Sequence, residues 1–336
     1  MEVTRQSVRD QGPKISEVHT GSPGFIQLFS ARLTAEISDY GLMSQLDPFF
    51  SNRPAAKPEN YLPLTFRGIV VGFVDRRLEE RVRQSTEAFS CPSQVVEILD
   101  HDLDYAARSA RLDTAVRHIY DADMTGFGKW CPETTPVVPS YGHTPVFELQ
   151  RAAVGFFGVL TTGVHLNVYS NICGTPHLWI AQRADHLASH PGMLDQAVAG
   201  FLPVGASPWP KLFEEAGEEA GLPASDVRQA HPAGSIEFAI DRDPGLQRGA
   251  VFVFDLEVPP DSHLESKDGE ISEHRLMAPA QVIASLNEHR FKFDSALVAV
   301  DFLVRHGCLD CADSAYLSIC STLHGQAVSF GLGTIS

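Results

Sequence analysis

The sequence predicts a mixed α/β protein of two domains, in which strands and helices do not alternate in a regular βαβ order. The chain has 336 residues, which is enough for two domains of ordinary size. Its apolar share of 43% is sufficient for a buried core. A stretch rich in glycine and proline, residues 125–144, separates two differently patterned halves and is the predicted linker.

The first half is predicted to hold a disordered leader and a smaller α/β domain. Residues 1–24 are polar and form the leader, and residues 25–140 form the domain. Apolar residues at helical spacing and one β-branched apolar run define its elements. These elements are a helix within 25–50, a strand at 64–74, and two helices, or one helix and one strand, over 78–99 and 105–120.

The second half is predicted to be an α+β domain over residues 141–310, followed by a C-terminal tail at 311–336. Alternating or β-branched segments predict its strands, and apolar residues at helical spacing predict its helices. The strands are expected at 159–170, 178–182, 235–240 and 250–258, with a loop and short strand over 191–205, and the helices at 147–157, 208–220, 280–287 and 295–306.

The chain is strongly acidic, with 42 acidic and 26 basic residues and a net charge of −16. Such a surface repels nucleic-acid backbones and anionic membranes, so neither is an expected partner. No apolar run reaches 18 residues, and we therefore predict no transmembrane helix. A small anionic substrate would need a local basic patch or bound cations to offset this charge. The sequence leaves open whether the protein forms a homodimer.

The six cysteines are sparse and unevenly spread, which argues against a disulfide framework. The first 14 residues mix charges and lack the apolar segment of a secretory signal, so a cytoplasmic location is expected. Four residues near the C-terminus could hold zinc, but a lone CxxC with tight spacing favours ordinary reduced thiols. These residues are Cys308, Cys311, Cys320 and His324.

The most informative segment is the predicted helix at 208–220. Ser207 is placed to cap its start, Pro208 occupies the first helical position, and Gly221 ends it. Three glutamates at positions i, i+3 and i+4 share one face of this helix and would destabilise it unless a cation neutralised them. Oxygen ligands suit Mg²⁺, which bridges carboxylates and substrate phosphates. The alternative is an exposed acidic helix without a ligand, which an isolated pattern of this kind would favour.

Residues 200–222 resemble the Nudix box, G-x5-E-x7-R-E-U-x-E-E-x-G-U, in which U is a bulky apolar residue. Six of its fixed positions are matched, by Gly200, Glu215, Glu218, Glu219, Gly221 and Leu222. Ala206 replaces a glutamate, and Glu214 replaces the arginine that usually orients the neighbouring glutamate. The resemblance implies an α/β/α sandwich whose site binds Mg²⁺, or alternatively Mn²⁺. It also implies a binding position at Gly200 and makes Glu215 and Glu219 the main metal ligands, with Glu218 assisting.

Further matching segments lie on both sides of the box, at 148–153, 157–158, 163–169, 178–183, 191–195, 198–200, 268–271 and 291–307. They are similar to the thiamine-pyrophosphokinase-related Nudix subfamily, which carries an extra N-terminal domain. This resemblance implies hydrolysis of thiamine diphosphate, or of an oxidised or damaged analogue, to the monophosphate and phosphate. Gln196 and Phe201 depart from the subfamily near the expected substrate pocket.

Hydrolysis requires a general base within hydrogen-bond reach of the attacking water. Glu270 is the first candidate because it belongs to the subfamily's D-G-E motif, expected on a loop before a late helix; Glu273 is second and Glu218 third. Glu270 could equally be a solvated turn residue. Arg183 is a candidate phosphate contact, and a surface arginine on a strand is the equal alternative. His165 is predicted to be a buried, hydrogen-bonded core histidine.

Three functional hypotheses follow from these observations. The first is a Mg²⁺-dependent diphosphatase for thiamine diphosphate or an analogue of it. The second, motivated by Gln196 and Phe201, is a pyrophosphohydrolase for another diphosphate, such as a nucleotide sugar or an isoprenoid diphosphate. The third, motivated by Ala206 and Glu214, is a binding module of the same fold with little turnover.

Overall fold

The computed structural model describes Leu46, residues 56–99 and residues 102–324. The predicted leader and, apart from Leu46, the helix predicted within 25–50 lie outside these residues. The described part of the chain builds two main β-sheets and the helices that pack on them. No helix in this part is long and apolar enough to cross a membrane.

The first sheet has four strands, in the spatial order β2-β1-β4-β3. Because Arg67 and Gly68 both have positive φ, the chain reverses there, and the single strand predicted at 64–74 is wrong. The segment over 78–99, for which the sequence left a helix or a strand open, contains one short helix and two short strands. The elements are β1 (Tyr61–Phe66), β2 (Ile69–Asp75), α1 (Glu79–Arg83), β3 (Phe89–Ser90), β4 (Val96–Ile98) and α2 (Tyr105–Ala122).

A two-stranded ribbon of β5 (Thr134–Val137) and β6 (Phe147–Gln150) follows. The predicted linker therefore contains a strand, and the helix predicted at 147–157 is wrong over its first four residues. The short helix α3 (Val154–Phe157) comes after β6. Phe156 and Phe157 are buried in one cluster with apolar residues of the first sheet and of α2, so this segment packs on that sheet.

The second sheet has seven strands, and its main path runs β11-β12-β7-β8-β13. β10 pairs with β7, and β9 pairs with β8. The strands predicted around 159–170, 178–182, 235–240 and 250–258 are all present, and each is longer than predicted. The seven strands are β7 (Leu160–Ile172), β8 (Thr175–Arg183), β9 (Leu194–Gln196), β10 (Val198–Phe201), β11 (His231–Arg242), β12 (Gly245–Glu257) and β13 (Ile271–Met277).

Helices cover both faces of this sheet, and six consecutive residues of its central strand β7 are accordingly buried. On one face, α4 (Pro208–Glu219) places Leu212 and Ala216 in a cluster with apolar side chains of β7, β10 and β12. On the other face, α6 (Pro279–Asn287) and α7 (Phe293–Arg305) pack on β8, β11 and β12. The short helix α5 (Ala224–Val227) follows α4. The mixed α/β fold and the layered arrangement predicted for the second half are confirmed.

The segment predicted as a C-terminal tail contains a further helix, α8 (Tyr316–His324). Its Ile319 and Leu323 are buried in the same cluster as α7. Because this helix contributes to the core, residues 311–324 are part of the packed structure.

Candidate active site

Glu219 is the most deeply buried of the three predicted glutamates and is only 4% exposed. It lies at the end of α4, and its Oε2 accepts a hydrogen bond from the backbone N–H of Ala199 in β10 at 2.7 Å. Burial raises its pKa well above the usual value, and the neighbouring charge of Glu215 acts in the same direction. A cation bound beside this carboxylate would stabilise its charged form, which burial disfavours.

Glu215 approaches the same strand one turn earlier in α4. Its side chain lies against the backbone of Gly200, where an added Cβ would come within 2.5 Å of Glu215 Cγ. This close approach explains why position 200 is glycine. The Glu215 side chain is 14% exposed, and burial raises its pKa although the ammonium of Lys211 opposes this shift.

Glu218 occupies a different environment, since its side chain is exposed. Its backbone carbonyl accepts a hydrogen bond from the N–H of Lys267 at 2.7 Å, which docks the loop at 265–270 on the end of α4. Gly221 has a φ of +65° and ends the helix as predicted. Glu215 and Glu219 thus converge on β10, while Glu218 borders them on the solvent side.

The side chains of α4 that a metal could use here are carboxylates, the oxygen ligands that Mg²⁺ prefers. Within the described residues, no three His, Cys, Asp or Glu side chains are grouped as a ready metal site. Mg²⁺ does not require one, because it is commonly held by one or two carboxylates together with waters and substrate phosphates. Two largely buried carboxylates of α4 that approach the same strand, with pKa values raised by burial, fit this chemistry.

A buried charge cluster that the sequence did not reveal lies close enough to affect Glu219. Asp195, next to Gln196 in β9, is almost completely buried and forms ion pairs with Lys292 Nζ at 3.1 Å and Arg183 Nη1 at 3.4 Å. Lys292 also pairs with Asp294 at 3.5 Å. The charge of Lys292 partly offsets the rise in the pKa of Glu219. Lys292 is therefore held between two carboxylates, and its charge also acts on the candidate metal site.

The guanidinium of Arg183 makes more contacts within the protein than the sequence predicts. Its Nε and Nη2 donate to the carbonyl oxygen of Ser189 at 3.3 Å and 3.2 Å, and Nη1 contacts Asp195. The side chain thus supports the loop after β8. To contact a phosphate as expected, the Arg183 guanidinium would have to bind it in addition to Ser189 and Asp195.

His165 and Gln196 are core residues. His165 is 3% exposed, its Nδ1 lies 3.0 Å from Gln196 Oε1, and burial lowers its pKa, as expected for a buried neutral histidine. Gln196 also donates to the carbonyl oxygen of Ser295 at 3.0 Å. Because both ends of the Gln196 amide are used inside the protein, its expected position in the substrate pocket is not supported.

Phe201 directly follows Gly200 at the end of β10. The guanidinium of Arg151 lies 4.5 Å from the centre of its ring, and Arg151 also pairs with Glu133. The backbone beyond β10 is fixed by a hydrogen bond from Val204 N–H to the carbonyl of Thr134 at 3.0 Å. The segment that follows the β5–β6 ribbon therefore supplies Arg151, the cation that pairs with the ring at the end of β10.

The candidate bases differ in their surroundings. Glu270 is exposed and precedes strand β13, not a helix as expected. Its loop is tied to α4 through Lys267 and to β8 by a bond from Ala184 N–H to the Glu270 carbonyl at 2.8 Å. Glu273 is also exposed, but Arg275 pairs with it and lowers its pKa, which makes it a weaker base.

The thiols considered for zinc are not part of a metal cluster in the described residues. Cys308 is buried, and burial raises its pKa to about 11, so it stays a neutral thiol. All six cysteines are free of disulfide bonds.

Residues 43–161 match a family described as a domain of unknown function, DUF4743. The chain is 31% identical over 303 residues to Nudix hydrolase 20, chloroplastic, of Arabidopsis thaliana, covering 85% of this chain and 80% of that protein. It is 31% identical over 275 residues to Nudix hydrolase 24, chloroplastic, of the same plant, covering 80% and 74%.

A solved structure with a detectable likeness is that of a C. elegans Ap4A hydrolase binary complex. It has 12% identity and a TM-score of 0.34, and the match covers 44% of this chain and 99% of that one. Both plant relatives are named as Nudix hydrolases, so the fold and the site are those of a hydrolase. At 31% identity over 85% of its length, the chain belongs to the Nudix hydrolase family.

Proposed function

We propose that the protein hydrolyses thiamine diphosphate, or an oxidised analogue of it, to the monophosphate and phosphate in a Mg²⁺-dependent reaction. The observation that carries metal-dependent chemistry is the convergence of the Glu215 and Glu219 carboxylates on β10. The thiamine moiety is supported by the subfamily resemblance of residues 147–307. The free cysteines support a reducing compartment such as the cytosol.

In this proposal Glu215 and Glu219 hold the cation, and Glu218 joins them from the solvent side. Bound Mg²⁺ would supply Lewis-acid stabilisation of charge on the diphosphate and a lower pKa for the attacking water. Lys292 binds a phosphate oxygen from within its cluster, and Arg183 is the second candidate for this contact. These cations offset the negative charge of the protein where an anionic substrate must enter.

Glu270 is the proposed general base. Its carboxylate accepts the proton of the water whose oxygen forms a new bond to phosphorus, and the P–O bond to the leaving phosphate group breaks. Its exposed side chain and its loop, which is docked on α4, support this role. Glu218 is the alternative general base because it lies at the end of α4 on which the loop of Glu270 docks. Glu273 is weaker because Arg275 neutralises it.

One observation favours a second substrate class. Phe201 and Arg151 place an aromatic face and a cation directly beside Gly200. Such a pair suits a planar base or a second phosphate equally well, so a nucleotide sugar or another diphosphate is the alternative. The isoprenoid alternative has less support, because Arg151 and Glu133 make this surface polar.

Hydrolysis of a panel of diphosphates in the presence of Mg²⁺, with the phosphorylated products separated and quantified by chromatography, tests the proposal. The panel contains thiamine diphosphate, an oxidised thiamine diphosphate, a nucleotide sugar and an isoprenoid diphosphate. We expect the highest kcat/KM on a thiamine compound. A higher kcat/KM on the nucleotide sugar would show that the nucleotide sugar, and not a thiamine compound, is the preferred substrate. Tight binding of thiamine diphosphate without turnover would show that the protein is a binding module.

A further inference from the structure

Lys211 lies on α4, one turn before Glu215, and its ammonium contacts two carboxylates. Nζ is 2.8 Å from Glu215 Oε1 and 3.1 Å from Glu214 Oε1. The Lys211 side chain is 13% exposed, whereas that of Glu214 is 54% exposed. The ammonium is therefore held between a largely buried carboxylate and a solvent-facing one.

We propose that Lys211 is a positioning residue that fixes the rotamer of Glu215 and so presents its second oxygen to a divalent cation. The backbone of Gly200 limits the Glu215 side chain on one side, and Lys211 limits it at Oε1. With both constraints in place, Oε2 is the oxygen left for a metal. This inference rests on the proposed metal site, and it adds a residue that has no ligand contact of its own.

A lysine near a cation site also repels the cation, so Lys211 has two opposing effects on metal affinity. Glu214 pairs with the same ammonium, and the three charges of Lys211, Glu214 and Glu215 sum to −1. The repulsion from Lys211 is thus compensated by Glu214, which stands where it cannot replace Glu215 because it faces solvent. The ordering of Glu215 is then the dominant effect of the lysine.

The test is titration of the full chain with Mn²⁺ alone, followed by calorimetry, for the parent and three variants. Lys211→Met keeps the length of the side chain and removes its charge, and we expect Mn²⁺ affinity to fall about tenfold. Lys211→Arg should restore most of the affinity because it can reach the same oxygen. Lys129→Met makes the same change on an exposed residue outside the site and should leave affinity unchanged.

The outcomes separate this inference from the proposed function. Unchanged or tighter Mn²⁺ binding in Lys211→Met, with the parent binding normally, would overturn the positioning role and leave the metal site intact. A parent that does not bind Mn²⁺ would overturn the metal site and the role of Lys211 together. Thermal unfolding of each variant identifies a folding defect, and in that case the arginine variant alone decides: affinity near that of the parent supports the role, and a tenfold loss overturns it.

Discussion

The carboxylate of Glu219 accepts a hydrogen bond from the backbone N–H of Ala199, and this single bond joins the end of α4 to the middle of β10. Burial raises the pKa of this almost fully buried carboxylate, and the bond from Ala199 opposes that rise. The pKa remains raised despite this bond, and a bound cation would stabilise the charged form of Glu219 further. The site therefore depends on Glu219 for charge more than for packing.

Glu219→Gln is expected to lower kcat/KM by about two orders of magnitude, because the amide keeps the size of the side chain and loses the charge of a metal ligand. The thermal stability of the metal-free protein should not fall, since a buried charge is removed. Steady-state kinetics and thermal unfolding measure the two effects. Glu80→Gln changes an exposed glutamate near the first sheet and is the matched control; activity equal to the parent in Glu219→Gln would refute the role of the helix.

Divalent metal should stabilise the parent protein. A ligand at ten times its Kd adds about 1.4 kcal/mol to the free energy of unfolding, because it binds only the folded state. Thermal unfolding with Mg²⁺ and after addition of a chelator measures this difference. The shift should be lost in Glu219→Gln, and an equal shift in both proteins would place the metal elsewhere.

Gly200→Ala is expected to reduce activity strongly, since the new Cβ would lie 2.5 Å from Glu215 Cγ and displace that carboxylate. Gly217→Ala is the matched control on α4, where an added Cβ meets nothing within 4 Å. That variant should keep full activity and gain up to about 1 kcal/mol of stability from better helix propensity. Similar kinetics in the two variants would contradict the close packing of Glu215 on β10.

Asp255 on β12 predicts a specific loss of stability in acid. It accepts hydrogen bonds from Asn167, Arg305 and His306, and although burial opposes them, these partners lower its pKa to about 2. An unfolded aspartate titrates near 3.9, so the group contributes about 2 kcal/mol that is fully present above pH ~4 and is lost as pH falls toward 2.

Urea unfolding of the parent and of Asp255→Asn at pH 7 and pH 3 measures this contribution. The parent should lose more stability than the variant over this range. An equal loss in both proteins would show that the acid sensitivity arises from other carboxylates.

The sequence predicted the elements whose signals are local. Helix α4 has a capping position, Pro208 at its start and Gly221 at its end, and it was predicted to within one residue. The long strands of the second sheet alternate clearly and were also predicted. The hairpin of β1 and β2 was missed because its turn is short, and Arg67 and Gly68 interrupt the apolar segment at only two positions.

The candidate site was predicted where its residues share one helix and missed where they do not. Glu215, Glu218 and Glu219 follow from helical spacing, and that spacing could also have identified Lys211, four residues before Glu215. Lys292 could not be found in this way, since its partner Asp195 is 97 positions away in sequence. The same holds for the backbone donor of Ala199, because no pattern in the sequence indicates which strand faces the helix.

The shared burial of Phe156 and Phe157 with the first sheet has a practical consequence for the chain as a whole. A protein cut at residue 140 would lose β1, β2 and α2 and would expose these rings to water. The tip of the β11–β12 hairpin would lose its partner as well, because the N–H of Gly245 donates to Asp75 at 3.1 Å. The part of the chain after residue 140, which carries the candidate site, is therefore expected to aggregate when expressed alone. The two halves must be produced and purified as one chain.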